Sequence, residues 1–178
     1  MADRCLTGIL LVGGASRRFG SAKALARFQG ETLAERAWRL LGEVCDERIA
    51  VGKVADGLDL SFQVLDDGVE ERAPVYGLVA GLRAASHELC LALPVDYPLM
   101  TSDALRLLAD ARAVPQTGPL PGAYERSMVP ELERRLAAGE LALRGLNTRV
   151  VELDDAVLAN VNTPDDLAVI SDSVLERR

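Results

Sequence analysis

ILLVGGASRRFGSAKAL, residues 9–25, carries an apolar run into a glycine pair and then into a row of cations. Arg17, Arg18, Lys23 and Arg27 all arrive before the next acid, Glu31. The run Leu6–Val12 is short, largely apolar on both faces and closed by glycine, which predicts a strand buried inside a sheet. Further brief apolar runs follow at Arg48–Val51, Phe62–Leu65 and Leu89–Val95, each bounded by Gly, Asp or Pro. Helix signals lie between them. Thr32 and Glu35 make a capping box ahead of LAERAWRLLGEV, Pro74 suits the first turn of PVYGLVAGLRAAS, and Thr101 suits the N-cap of SDALRLLADAR. The last third continues with a broken extended segment, GPLPGAYE, and a helix over Ser127–Ala138. A strand in TRVVELD and a helix started by Thr163 and Pro164 complete it. Strands alternating with helices along the whole length predict an α/β fold with a mostly parallel, doubly wound sheet. No repeat or linker interrupts residues 1–178, so one domain is expected.

In such a sheet, ligands bind beyond the carboxyl ends of the strands, near the point where strand order reverses. The loop opened by Gly13 and Gly14 follows the first strand and is therefore privileged ground. Glycines allow consecutive backbone N–H groups to converge on an anion, and Arg17, Arg18 and Lys23 add full charges. A polyphosphate matches that set, and a carboxylate in the same loop would repel it. Two familiar phosphate loops do not fit. Lys23 comes three residues after Gly20 and precedes alanine, unlike a P-loop, and GGASRRFG lacks the dinucleotide GxGxxG spacing. A solvated basic loop is the bland alternative.

A second constellation weighs against that alternative. LCLALPVDYPLM is an apolar run that ends on Asp96 before Pro98 breaks the chain away. A carboxylate there faces the same crevice, and Mg²⁺ prefers one or two carboxylates supplemented by substrate phosphates. In ANVNTPDDL, Asn160 and Asn162 stand two apart in an extended segment and share a side, so they form a possible second polar edge.

Composition narrows the field. The net charge of −7 argues against a nucleic-acid-coating surface. Cys5, Cys45 and Cys90 are odd in number, lack CxxC or Cys/His spacing and lie in or beside apolar runs, which fits a reducing compartment and no zinc site. No leader pattern and no membrane-length apolar run is read, so a cytoplasmic protein without membrane partners is expected. His87, the one histidine, reads as a surface residue at a helix end and gives little support to a histidine-based triad.

Together these segments resemble the molybdenum cofactor guanylyltransferase family, within the nucleotide-sugar-type nucleotidyltransferases. The family's LAGGxSxRxGxxK is met by LVGGASRRFGSAK, in which Leu11, Gly13, Gly14, Ser16, Arg18, Gly20 and Lys23 match and Val12 replaces alanine. Its GPLAGL-like segment corresponds to APVYGL, its DxP to DYP at Asp96, and its NxNTPxDL to NVNTPDDL. The resemblance runs in order from Leu6 to about Ile170. It implies a Rossmann-like, three-layer α/β/α fold of the nucleotide-diphospho-sugar transferase type. It also implies a Mg²⁺-dependent enzyme that transfers GMP from GTP to the phosphate of molybdopterin and releases pyrophosphate. By matching position, Leu11, Val12, Gly13, Gly14, Lys23, Asp67 and Asp96 would hold the nucleotide, Asp96 the metal, and Arg18, Lys23 and Asp96 would serve catalysis. Asn160 and Asn162 would lie on the acceptor side. Cofactor-delivering and apo-molybdoenzyme proteins are implied as partners. The chain departs from the pattern at Ala73, at Tyr76, at Gly52 where the family has an asparagine, and in a short segment between Asp110 and Gly122. Because these departures fall near the base and the acceptor, a cytidylyltransferase or another sugar- or alcohol-phosphate nucleotidyltransferase stays open. So does a non-catalytic nucleotide-binding module.

Overall fold

The computed structural model describes residues 5–13, 19 and 23–175. Two of the expected site residues, Gly14 and Arg18, lie outside the described residues, as do Ser16, Arg17 and Gly20. In chain order the elements are β1 (Leu6–Leu11), β2 (Arg27–Phe28), β3 (Glu31–Thr32), α1 (Leu33–Gly42), β4 (Glu47–Gly52), β5 (Val64–Asp66) and α2 (Pro74–Ala84). There follow β6 (Leu89–Pro94), α3 (Ser102–Ala111), β7 (Val114–Pro115), β8 (Gly122–Glu125), α4 (Val129–Ala137), β9 (Val150–Val151) and α5 (Pro164–Leu175).

Five strands form the central sheet in the order β5-β4-β1-β6-β8. β1 pairs in parallel with β4 and β6, β4 in parallel with β5, and β8 runs antiparallel on β6. All six residues of β1 are buried, as expected of a strand covered on both faces. Its residues divide by parity. Leu6 and Leu10, with Val12 just beyond the strand, pack with Leu33, Ala37 and Leu41 of α1 and with Leu105 and Leu108 of α3, while Ile170 of α5 joins the same cluster. Ile9 and Leu11 pack on the opposite face with Val75, Leu78 and Leu82 of α2 and Leu132 of α4. The result is the expected three-layer, mostly parallel α/β/α arrangement. α2 lies close to the sheet because Gly77 and Gly81 face it. A Cβ on Gly81 would stand 2.5 Å from Ile9 Cγ2.

The helix starts follow the sequence signals. Thr32 Oγ1 accepts from the Glu35 amide at 3.1 Å, and Glu35 Oε2 accepts from the Thr32 amide at 3.1 Å. Thr101 Oγ1 caps α3 by accepting from the Ala104 amide. At α5, the Thr163 amide donates to Asp166 Oδ2 and the Asp166 amide to Thr163 Oγ1. The β2–β3 hairpin turns through Gln29 and Gly30, with φ of 51° and 90°, the pair of positive values that a tight two-residue turn requires.

Three local expectations are corrected. The strand placed at Phe62–Leu65 starts two residues later and runs over Val64–Asp66, while Phe62 stacks on Trp38 at 4.3 Å. The TRVVELD strand shrinks to Val150–Val151, which pairs with β7 outside the main sheet. His87 is not a plain surface residue. Its Nδ1 lies 3.1 Å from the buried Thr7 hydroxyl, at the edge of the sheet opposite the glycine loop.

Candidate active site

From β1 the chain moves outward through β4 to β5, then returns to β6 on the other side of β1. Strand order therefore reverses between β1 and β6, where an open parallel sheet leaves its crevice. Gly13 follows β1, Gly52 ends β4 and Lys53 follows it, Asp67 follows β5 and Asp96 follows β6, all along one edge. Backbone bonds tie these ends together. The Val12 amide donates to Val51 O at 2.9 Å, the Val95 amide to Leu11 O at 3.3 Å and the Asp67 amide to Gly52 O at 3.1 Å.

Asp96 lies in the turn beyond Pro94 rather than on the strand itself. Its Oδ2 is 3.5 Å from Lys23 Nζ, and the two side chains are 23% and 14% exposed. Its Oδ1 is buried and has no hydrogen-bond partner among the described residues. Burial pushes the Asp96 carboxyl above the ordinary carboxylate range, and the nearby Lys23 ammonium only partly offsets this. A buried carboxylate oxygen with no partner is normally explained by a missing ligand, water or ion. One such carboxylate suits Mg²⁺, which takes its remaining ligands from phosphates and water, and among the described residues no cluster of three or more His, Cys, Asp or Glu offers an all-protein cage. The residues present therefore fit a divalent cation, for which Asp96 would be the protein ligand.

The third sequence segment reaches the same place. The Val161 amide donates to Asp96 O at 2.8 Å, which lays the NVNTPDDL turn against the Asp96 loop. Asn162 Nδ2 donates to Asn160 Oδ1 at 3.2 Å, so the two asparagines share one side, both exposed. Asp166 is held below the usual carboxylate range by the amides of Asn162 and Thr163, with Lys23 contributing.

On the other side of β1 is a cavity of about 150 Å³. Leu11, Val51 and Pro74 give it apolar walls, and Gly13, Gly52, Lys53, Asp67 and Arg72 line its polar rim. Its volume is below the roughly 300 Å³ at which pockets for whole drug-sized ligands begin, so it would take in part of a nucleotide and leave the rest along the strand ends. The glycines matter here. A Cβ at Gly13 would lie 3.3 Å from the Gly52 backbone, and one at Gly52 would lie 2.7 Å from Val12 Cγ2. Where the family has an asparagine, this cavity wall is thus bare backbone. Tyr76 does not line the cavity; its hydroxyl donates to Glu71 Oε2 at 2.5 Å. The short segment between Asp110 and Gly122 is tied down by the Tyr97 hydroxyl, which donates to Leu120 O, and by the Tyr124 hydroxyl, which donates to Pro119 O.

The structure thus brings Lys23, Asp96 and the Asn160–Asn162 turn together, and brings Leu11, Gly13 and Asp67 to a neighbouring cavity. Val12 is buried at the junction of β1 and β4 and does not line that cavity. Sequence reasoning missed Lys53 and Arg72. Lys53 is 9% exposed, and its Nζ lies 2.6 Å from Asp67 Oδ1 and 2.8 Å from Glu71 O and also donates to Val69 O. The one available signal was a lysine directly after a glycine that ends an apolar strand.

Comparison with known proteins agrees with this fold. Residues 8–155 match the MobA-like NTP transferase domain. Proteins from Chloroflexus aggregans and Deinococcus radiodurans, each named "Probable molybdenum cofactor guanylyltransferase", are 31% and 34% identical. They cover 93% of this chain, and the alignments take in 93% and 94% of those proteins. Molybdopterin-guanine dinucleotide biosynthesis protein A from Archaeoglobus fulgidus superposes with a TM-score of 0.77 at 23% identity, covering 96% of this chain and 99% of that one.

Proposed function

Since the chain belongs to the MobA-like NTP transferase family, we propose that it is a nucleotidyltransferase that moves GMP from GTP onto the phosphate of molybdopterin and releases pyrophosphate. The observation that carries this reading is the Lys23–Asp96 pair beyond β1, with a buried Asp96 oxygen that has no partner among the described residues. The names of the relatives supply the acceptor and the base.

An acceptor phosphate oxygen attacks the α-phosphorus of the nucleotide in line with the departing pyrophosphate. One P–O bond forms and the α–β bridging P–O bond breaks. An acceptor phosphate is already ionised at neutral pH, so the step needs no strong general base, in keeping with the distance of His87 from this edge. Lys23 would neutralise phosphate charge that builds up as pyrophosphate leaves, and Arg18 is assigned to the same task by sequence position. Asp96 would hold Mg²⁺, which when bound supplies charge neutralisation across the phosphates. Leu11, Gly13 and Asp67 would receive the nucleoside end in the β1–β4 cavity, and Asn160 and Asn162 would face the acceptor. Positioning two anions in line is itself a large part of the rate enhancement.

A cytoplasmic setting, and exchange with proteins that deliver the pterin and receive the finished cofactor, belong to this reading. Among the described residues no helix is long and apolar enough to cross a membrane. The test is a screen of four nucleoside triphosphates with Mg²⁺ against a molybdopterin-bearing protein, with pyrophosphate release followed and the dinucleotide identified by mass. GTP should give turnover. Turnover with CTP alone would reassign the base, and no pyrophosphate with any nucleotide would remove the enzyme reading.

A further inference from the structure

Lys53 has no role in the scheme above, yet no other described lysine side chain is so deeply buried. All three hydrogen-bond acceptors on its ammonium come from one short loop, namely Asp67 Oδ1, Val69 O and Glu71 O. That loop joins β5 to α2, and Asp67, Arg72 and Ala73 from it line the cavity beside Gly13. Lys53 follows directly on β4, whose end is hydrogen-bonded to β1. The ammonium therefore fastens the cavity's loop wall to its sheet floor. Asp67 is divided by this contact. Its Oδ1 receives Lys53 at 2.6 Å and the Val69 amide at 3.2 Å, whereas its Oδ2 makes no hydrogen bond among the described residues. With one oxygen fixed on two donors, the side-chain torsions of Asp67 are set before any ligand arrives. A ligand donor then meets an oriented acceptor and need not order the loop on binding.

We propose that Lys53 is a positioning residue of the nucleotide site, acting through Asp67 by clasping residues 67–71 so that Asp67 Oδ2 and the cavity wall are preset for a nucleoside bearing hydrogen-bond donors. The proposal rests on the functional reading above and adds to it how the nucleoside end is prepared. Lys53 touches no reacting atom, so its removal acts on nucleotide affinity and not on the chemical step. If the acceptor of its charge is Asp67, removing Lys53 after Asp67 has been neutralised changes little, since coupled residues are non-additive.

The test uses the full chain as parent, Lys53→Met, Asp67→Asn and the double variant, titrated with GTP and Mg²⁺ by calorimetry and assayed for turnover well below their melting temperatures. Lys53→Met should raise both Kd and KM for GTP about tenfold or more and leave kcat within about threefold. The Val69 amide should exchange its hydrogen faster, while the β1 and β6 amides stay protected. Adding Lys53→Met to Asp67→Asn should weaken GTP binding by less than about twofold further. That last comparison stands even if Lys53→Met alone fails to fold, because the double variant leaves no buried unpaired charge. Parent-like GTP affinity in Lys53→Met, a fall confined to kcat, or a second full loss of affinity in the double variant would each overturn the proposal. A parent that binds no nucleoside triphosphate would instead bring down the functional reading, and the positioning role with it.

Discussion

Replacing Asp96 by asparagine separates function from stability. Two opposing effects act on the carboxylate. At 3.5 Å from Lys23, the attraction in a medium of effective dielectric 20 is about 5 kcal/mol before solvation is counted. Removing a carboxylate from water costs several kcal/mol, and here Oδ1 has no compensating hydrogen bond among the described residues. The carboxyl sits above its ordinary pKa, so desolvation wins even with Lys23 present. The folded chain thus holds the Asp96 proton to higher pH than the unfolded chain does. Stability from this group is fully present below the unfolded-chain value and falls as pH rises through the interval up to the folded-state value. Asparagine is neutral throughout and removes that loss. At pH 7 Asp96→Asn should therefore melt at the parent's temperature or above it, with the difference vanishing in acid. Activity should move the other way. Loss of one preorganised charge-stabilising group costs on the order of 3 kcal/mol, a hundredfold or more in turnover. Thermal melts at several pH values and a pyrophosphate-release assay would be run on the same preparations. Turnover within a few-fold of the parent, or a variant that melts well below it at pH 7, would refute the reasoning.

Lys23→Met should weaken GTP binding and slow turnover, each by about tenfold or more, since the charge is used in both the bound and the transition state. Calorimetry that finds unchanged GTP affinity would count against this. Burial pushes the Cys45 and Cys90 thiols up to about 12, whereas Cys5 is exposed. A maleimide at pH 7 should label one thiol in the native protein and three after unfolding, counted by mass; a second native label would show that the sheet–helix interfaces open.

The alternation of strands and helices was readable because β1 and β6 are buried on both faces and stand out as unbroken apolar runs, and because Thr32, Pro74, Thr101 and Thr163 act within a single turn of chain. Where a segment's fate depended on a distant partner, the pattern misled. Phe62 is as apolar as any strand residue, but it stacks on Trp38 and stands outside the strand. The Val150–Val151 run has strand composition, but only the two residues of β7 are there to pair with it. Asp96 and Lys23 were legible as chemistry-bearing residues, whereas the burial of Asp96 Oδ1 without a partner among the described residues was not, since it depends on segments far apart in the chain.

Local chain chemistry settled where the strands run, how the helices begin and which loop gathers cations without acids, because those depend on neighbours a few residues away. The tertiary fold alone decided which strand ends lie side by side. It brought Asp96 to Lys23, 73 positions apart in the chain, pressed Gly13 against Gly52, and buried a lysine that composition would place in water. Burial and long-range pairing arise from packing the whole sheet between its two helical layers, and no window of sequence contains both halves of such a contact.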